Sequence, residues 1–315
     1  PTADARKAAI DGIERGDADA YTPNKGTGSL REAIAAKHQT DQGIDLNPER
    51  VIATAGGSEA LHIALEAHVS AGEEVIIPDP GFVSYDALTR LAGGTPVPVP
   101  LRDDDTIDPA AIEAAITEDT AAFVVNSPGN PTGAVSPPED VREFARIADE
   151  HDVLCLSDEV YEYTVFEGEH RSPMEFADRD SVVVVNSASK LFSMTGWRLG
   201  WVYGSAERVD RMLRVHQYAQ ACASAPAQYA AEAALRGDRS VVDEMTASFR
   251  RRRDILLDGL EDAGIECPTP SGAFYPMPRF PEGFVDACLA RVVVVVPGSA
   301  FGSGSRGSAP LSSCT

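Results

Sequence analysis

Four consecutive valines, Val182 to Val185, run into Asn186, Ser187 and, three residues on, a lysine; they belong to one of seven short apolar runs in this chain. The runs cover 51–54, 75–77, 97–99, 122–126, 153–157, 182–186 and 199–203. Helical spacing of apolar residues fills most of the gaps, at 58–70, 83–92, 109–116 and 138–151. A strand apolar at every position must be covered on both faces, and helices between strands permit parallel pairing. The pattern predicts an α/β fold: a mainly parallel seven-stranded sheet with helices on both faces. Such sheets bind ligands at the carboxyl ends of their strands, so the residues that follow each run are the candidates for function.

The flanks predict further elements. A helix is expected over 2–15, then a loop from Tyr21 to Gly28, then a helix over about 29–37. Ser29 followed by Glu32 has capping-box spacing. Residues 206–235 and 240–262 read as helical, with the run Arg250 to Arg253 on a solvent face. Residues 265–301 hold GAFYP and an expected strand in RVVVVVPGSAF, which suggests a smaller α+β layer. The expected division is a large unit over 19–245, with 1–18 and 246–315 forming the small one. The Gly/Ser-rich tail Gly302–Thr315 is expected to be mobile. Its Gly302-x-Gly304-x-x-Gly307 is not a dinucleotide fingerprint, because too little chain follows to form the helix that holds a pyrophosphate.

Charge excludes several function classes. Lys+Arg number 27 against 49 Asp+Glu, a net charge of −22 that repels phosphate backbones, so no nucleic-acid partner is expected. No apolar run approaches the roughly 20 residues of a membrane span. The chain begins at Pro1 rather than at a methionine, which suggests a processed or incomplete piece; no secretory signal is visible, and a cytoplasmic location is expected. Five scattered cysteines fit a reducing compartment. His62 and His68 are too far apart to share a helix face, so no metal site is expected. Lysine is scarce, only Lys7, Lys25, Lys37 and Lys190, and with so acidic a surface this predicts adaptation to high salt, where screening relieves self-repulsion.

Four segments at strand ends carry chemistry. Lys190 follows the valine run, near Ser187, Ser189 and Arg198. A lysine there is suited to imine formation, and Arg with short hydroxyl donors is suited to holding phosphate. Gly56-Gly57-Ser58 lies between a strand and a helix, where free N–H groups attract an anion. Asp158 ends a buried run and needs a cationic partner, such as a protonated heterocycle nitrogen. Asn126-Ser-Pro-Gly-Asn130-Pro131 is a stiff turn that places an amide at the same sheet edge, with a cis bond one option at its prolines. An amine, an anion cradle, a buried carboxylate and an amide together suit a phosphorylated aldehyde on a heterocycle; pyridoxal phosphate is one.

In NSPGNPTGAV, SDEVYE, SASKLFSMTGWRLG and GAFYP, in that order, the chain resembles the class I aminotransferases of pyridoxal-phosphate fold type I, in the aspartate/aromatic branch of archaea and bacteria. The resemblance runs from about Tyr21 to Phe301. It implies that Lys190 forms the internal aldimine and that Asp158 pairs with the ring nitrogen. It implies that Tyr161 and Asn130 bond the ring oxygen, that Phe82 stacks on the ring, and that Gly57, Ser58, Ser187 and Arg198 hold the phosphate. Tyr21 resembles the residue that reaches a neighbouring subunit's phosphate, which implies a homodimer. The implied reaction moves an amino group from an L-amino acid to a 2-oxo acid, with Lys190 as base and acid and ping-pong kinetics.

The chain departs from the pattern where the family's arginine grips the substrate α-carboxylate: Pro310 stands at that position. Residues 278–292 are several positions short, and the family's final helices have no counterpart. Arg279 and Arg306 are the nearby candidates to replace the arginine. A C–S lyase on the same fold, or a degenerate copy that binds cofactor without turnover, are the alternatives.

Overall fold

In the computed structural model, which describes residues 1–313 apart from Arg179, Glu282 and Arg306, all seven apolar runs contribute strands to one sheet. The strands are β1 (Val51–Thr54), β2 (Glu74–Asp79), β3 (Thr95–Pro100), β4 (Thr120–Asn126), β5 (Leu154–Asp158), β6 (Val182–Ser187) and β7 (Gly200–Tyr203). Their order is β1-β7-β6-β5-β4-β2-β3. Pairing is parallel from β3 through to β6, and β7 runs antiparallel to both β1 and β6.

Strand alternation sends each run into two cores. Val182 and Val184 enter one core, and Val183 and Val185 the other. The first is roofed by helices Gly28–Gln42, Pro138–His151 and Ala225–Arg236, through Leu30, Phe144 and Ala230. Helix Ala3–Glu14 joins it through Ala5 and Ala9. The second is covered by helices Gly57–His68, Ser84–Leu91 and Ala206–Ala219, through Leu61, Tyr85 and Met212. Each fully buried valine contributes about 1.5 kcal/mol or more, so β6 is firmly held on both faces and the residues that follow it start from a rigid base.

The two sheet edges differ. In β3 the Thr95 N–H donates to Glu73, and the Leu101 N–H just beyond the strand donates to Asp79. Odd-numbered donors therefore face β2, and Pro96, Pro98 and Pro100 occupy the positions whose N–H would point outward. At the other edge the Ala53 N–H donates to the Lys25 carbonyl, so the loop around Lys25 covers β1.

Several expectations are corrected. The strand expected at 291–301 is absent: helix Phe284–Leu289 precedes an unpaired stretch, and Gly298–Ala300 is a 3-10 turn. No strand is available beside it among the described residues, so β propensity has nothing to pair with and Val292 and Val294 stay exposed. The described part of the tail is pinned rather than loose. Ser303 Oγ and the Gly304 N–H donate to Asp79, and the Leu311 and Ser313 N–H groups donate to the Pro276 and Phe274 carbonyls. Residues 206–235 form two helices, broken where Ala221 takes a left-handed conformation. The cap of helix Gly28–Gln42 is Thr27; Ser29 bonds Glu232 instead. Arg253 is buried, donating to Glu167, Asp254 and the Pro270 carbonyl, so the arginine run of helix Ser240–Asp262 is not wholly a solvent face. No helix among the described residues is long and apolar enough to cross a membrane.

Candidate active site

The carboxyl ends of β4, β5 and β6 and the turn after β1 converge on one cavity of about 260 Å³. Gly57, Ser58, Phe82, Asn130, Asp158, Tyr161, Ser187, Lys190 and Arg198 all line it. Tyr21 does not; its side chain is 89% exposed, away from this cavity.

One end is built for an anion. Gly56 has φ +88°, and a Cβ there would lie 2.6 Å from the Arg198 guanidinium, so only glycine lets the turn close on Arg198. A Cβ on Gly200 would lie 2.6 Å from the Gly56 carbonyl carbon, so β7 presses on the turn from behind. Arg198 donates to the Thr195 carbonyl at 3.1 Å and the Ala55 carbonyl at 3.3 Å. Its other N–H groups remain available, beside the unpaired N–H groups that open helix Gly57–His68. Ser187 differs from expectation: its hydroxyl donates to the Leu199 carbonyl at 3.0 Å and accepts the Ser189 N–H. Its proton is thus committed to the strand, and Ser187 shapes the turn more than it serves as a free donor.

Lys190 stands on the short helix Ala188–Leu191 that continues β6. Its Nζ lies 4.9 Å from the Phe274 ring centroid and 5.6 Å from that of Tyr161. Among the described residues no carboxylate forms an ion pair with it. The amine therefore meets aromatic faces and the open cavity.

Asp158 is buried where β5 ends. The Tyr85 hydroxyl donates to its Oδ2 at 2.8 Å, and the Val160 N–H to its Oδ1 at 3.3 Å. Burial pushes its pKa up to about 6, and these donors oppose the rise. Among the described residues no basic side chain pairs with it. Its carboxylate faces the cavity, where a ligand's cationic group would meet it.

Asn126 ties the segments together. Its amide donates to the Asp158 carbonyl and its oxygen accepts the Asn130 N–H, both at 2.8 Å. The Ser127-Pro128 and Asn130-Pro131 bonds are both cis. Tyr161 Oη is 3.2 Å from Tyr275 Oη, and Phe82 stands edge-on to Tyr85.

Tyr85, Thr195 and Tyr275 line the cavity although the sequence gives them no role, and Asn126, read there only as the start of a turn, lines it as well. Tyr85 lies three residues after Phe82, and that spacing could have found it; Tyr275 belongs to GAFYP, and Asn126 ends its strand as Asp158 does.

Of the candidate replacement arginines, Arg279 does not reach the cavity. Arg279 is exposed and lines a separate hollow with Asp103 and Phe280. Pro310 lies between Ala309 and Leu311, whose N–H groups pair with Pro278 and Pro276, and it does not line the site. Arg306 lies outside the described residues.

Three metal-type side chains do cluster: Glu159, Glu162 and His170. Protein groups already meet them, since Lys37 Nζ is 2.7 Å from Glu162 and His170 Nε2 is 3.2 Å from Glu159. The buried ammonium stands where a cation would be needed.

A family model described as aminotransferase class I and II matches residues 1–310. The aspartate/prephenate aminotransferase of Thermus thermophilus is 40% identical over 292 residues, covering 89% of this chain and 76% of that protein. An aromatic-amino-acid aminotransferase of Thermococcus litoralis is 38% identical over 309 residues, covering 94% and 79%. The solved structure of a double mutant of Thermus thermophilus aspartate aminotransferase matches with a TM-score of 0.95 at 38% identity, over 100% of this chain and 84% of that one.

Proposed function

The chain belongs to the class I and II aminotransferases, and from that premise we propose that it moves an amino group between an L-amino acid and a 2-oxo acid, using pyridoxal phosphate held in the 260 Å³ cavity. One observation carries the reading: an amine, a buried carboxylate that pairs with no basic side chain among the described residues, and an anion cradle line the same cavity. These donors fit a ring with an aldehyde, a basic nitrogen and a phosphate.

When bound, pyridoxal phosphate supplies an electrophilic carbon and an electron-withdrawing ring. The residues of this chain do the rest. Lys190 Nζ takes the substrate α-proton and returns it. Asp158 holds the proton of a ring nitrogen, steadied by Tyr85. Tyr161 and Asn130 orient the ring oxygen, and Phe82 walls one ring face. The first N–H groups of helix Gly57–His68, Ser58 and Arg198 hold the phosphate, with Ser187 as their support. The exposed phenol of Tyr21 suits a contact with a second copy, which makes the working form a homodimer with shared sites. We place the protein in the cytoplasm, as its cysteine usage suggests.

One observation favours a second reading, in which cofactor binds without turnover. Among the described residues the cations of the cavity are Lys190 and Arg198, and neither Pro310 nor Arg279 adds one for a substrate carboxylate.

The test is half-transamination of the holo chain with single L-amino acids, aspartate and phenylalanine among them. A 2-oxo acid, with conversion of the cofactor to its amine form, is the expected result. Ammonia with a cleaved side chain indicates a lyase, and no product with any amino acid refutes the aminotransferase assignment.

A further inference from the structure

His216 is fully buried in helix Ala206–Ala219, next to the anion cradle but not lining it. Its Nε2 lies 2.9 Å from the Asn24 carbonyl oxygen and its Nδ1 2.8 Å from Glu59 Oε1. A backbone carbonyl only accepts, so Nε2 carries a proton. The contact between Nδ1 and the carboxyl group needs another, on one atom or the other. The two side chains together therefore carry no net charge. The other oxygen of Glu59 accepts the Ala55 N–H, at the start of the turn whose carbonyl holds Arg198. A carboxyl group thus braces the turn of a site read as binding phosphate from just outside the cavity lining. Left unneutralised, it would oppose the anion.

We propose that the Glu59–His216 pair positions the cradle and cancels the Glu59 charge, so that the turn at Ala55–Ser58 accepts a phosphate monoester. Histidine serves because its two ring nitrogens face opposite ways: Nε2 donates to the Asn24 carbonyl, and Nδ1 shares a proton with Glu59. The inference rests on reading Gly57, Ser58 and Arg198 as the phosphate site. Both residues are positioning residues, acting through the turn rather than on the substrate.

The test compares affinity for pyridoxal phosphate with that for pyridoxal, followed by the absorbance of the Lys190 adduct. Wild type should prefer the phosphorylated form; no preference would overturn the phosphate reading itself. His216→Gln leaves Glu59 charged and should lose on the order of tenfold in affinity for pyridoxal phosphate, with pyridoxal affinity unchanged. Adding Glu59→Gln should restore the preference, which a merely structural role would not do. Glu59→Gln alone keeps every contact, since its oxygen can accept from Ala55 and its amide can donate to Nδ1, and it should retain or strengthen the preference. That single variant decides the matter should His216→Gln fail to fold. A His216→Gln chain with the wild-type preference, a double variant as weak as His216→Gln, or loss of preference in Glu59→Gln overturns the inference.

Discussion

Tyr85 donates its hydroxyl proton to Asp158 Oδ2 across 2.8 Å, with both side chains buried. The bond joins helix Ser84–Leu91 to the end of β5 and places a neutral donor on a carboxylate that no basic side chain among the described residues meets. Asp158 is consequently held between two states, and pH selects between them.

Burial raises the Asp158 pKa from 3.8 to about 6. The folded chain then binds this proton more tightly than the unfolded chain does. Its contribution is favourable below about pH 4 and is lost as pH climbs to about 6, on the order of 3 kcal/mol at roughly 1.4 per unit. Urea unfolding of cofactor-free protein between pH 4 and 7 should show this fall, and Asp158→Asn should flatten it. Tyr85→Phe removes an opposing bond and should extend the fall to higher pH. An unchanged slope in Asp158→Asn would mean that the carboxylate does not titrate in this window.

Borohydride reduction of the loaded protein, followed by peptide mass mapping, should place the pyridoxyl group on Lys190. Lys190→Ala should yield no adduct and no transamination. Lys37 is not a competitor: its side chain is 1% exposed and salt-bridged to Glu162. An adduct on Lys7 or Lys25 would refute the assignment.

Amino-acid binding should be weak while cofactor binding is not. A charge-assisted carboxylate contact is worth about 2–5 kcal/mol when truncated, and Pro310 offers none. Titrating amino acids against the adduct absorbance should therefore need far higher concentrations than in a chain whose tail carries the family arginine. Pro310→Arg alone should recover little, because the backbone around it is paired to Pro276 and Pro278 rather than aimed at the cavity. Equal saturation of the two chains would show the arginine to be dispensable.

The melting temperature should rise from low to molar KCl. The net charge of −22 repels itself, and screening removes that cost. Exposed pairs such as Lys7–Asp11 lose a little in salt, whereas the buried Lys37–Glu162 pair is shielded from it. A flat or falling curve would contradict adaptation to high salt.

The sheet was readable because its signal is local and repeated. A run such as Val182 to Val185 can satisfy its burial in few ways, and the residue after it inherits a place at the sheet edge. Lys190 and Asp158 were legible for that reason, and Arg198 because it lies just before β7, which runs antiparallel and starts at the same edge. Tyr85 and Asn126 were harder, since their roles are hydrogen bonds to residues 73 and 32 positions away. Val292 to Val296 misled because propensity describes what a segment would do beside a partner strand, and the described chain supplies none. The Gly/Ser tail misled in the opposite way: it is held by bonds to the Asp79 carboxylate and to the Pro276 and Phe274 carbonyls, which composition does not encode.

The three prolines of β3 decide how this molecule can meet others. A strand arriving from outside at that edge would find carbonyl oxygens but no matching hydrogens at positions 96, 98 and 100, so the ladder cannot be extended there. The far edge is closed by the loop at Lys25. Neither fibril growth nor a continuous intersubunit sheet has a starting point on these strands. A partner that meets either sheet edge therefore meets side chains and loop rather than an open ladder, and contact there is open to tuning by point mutation rather than fixed by strand pairing.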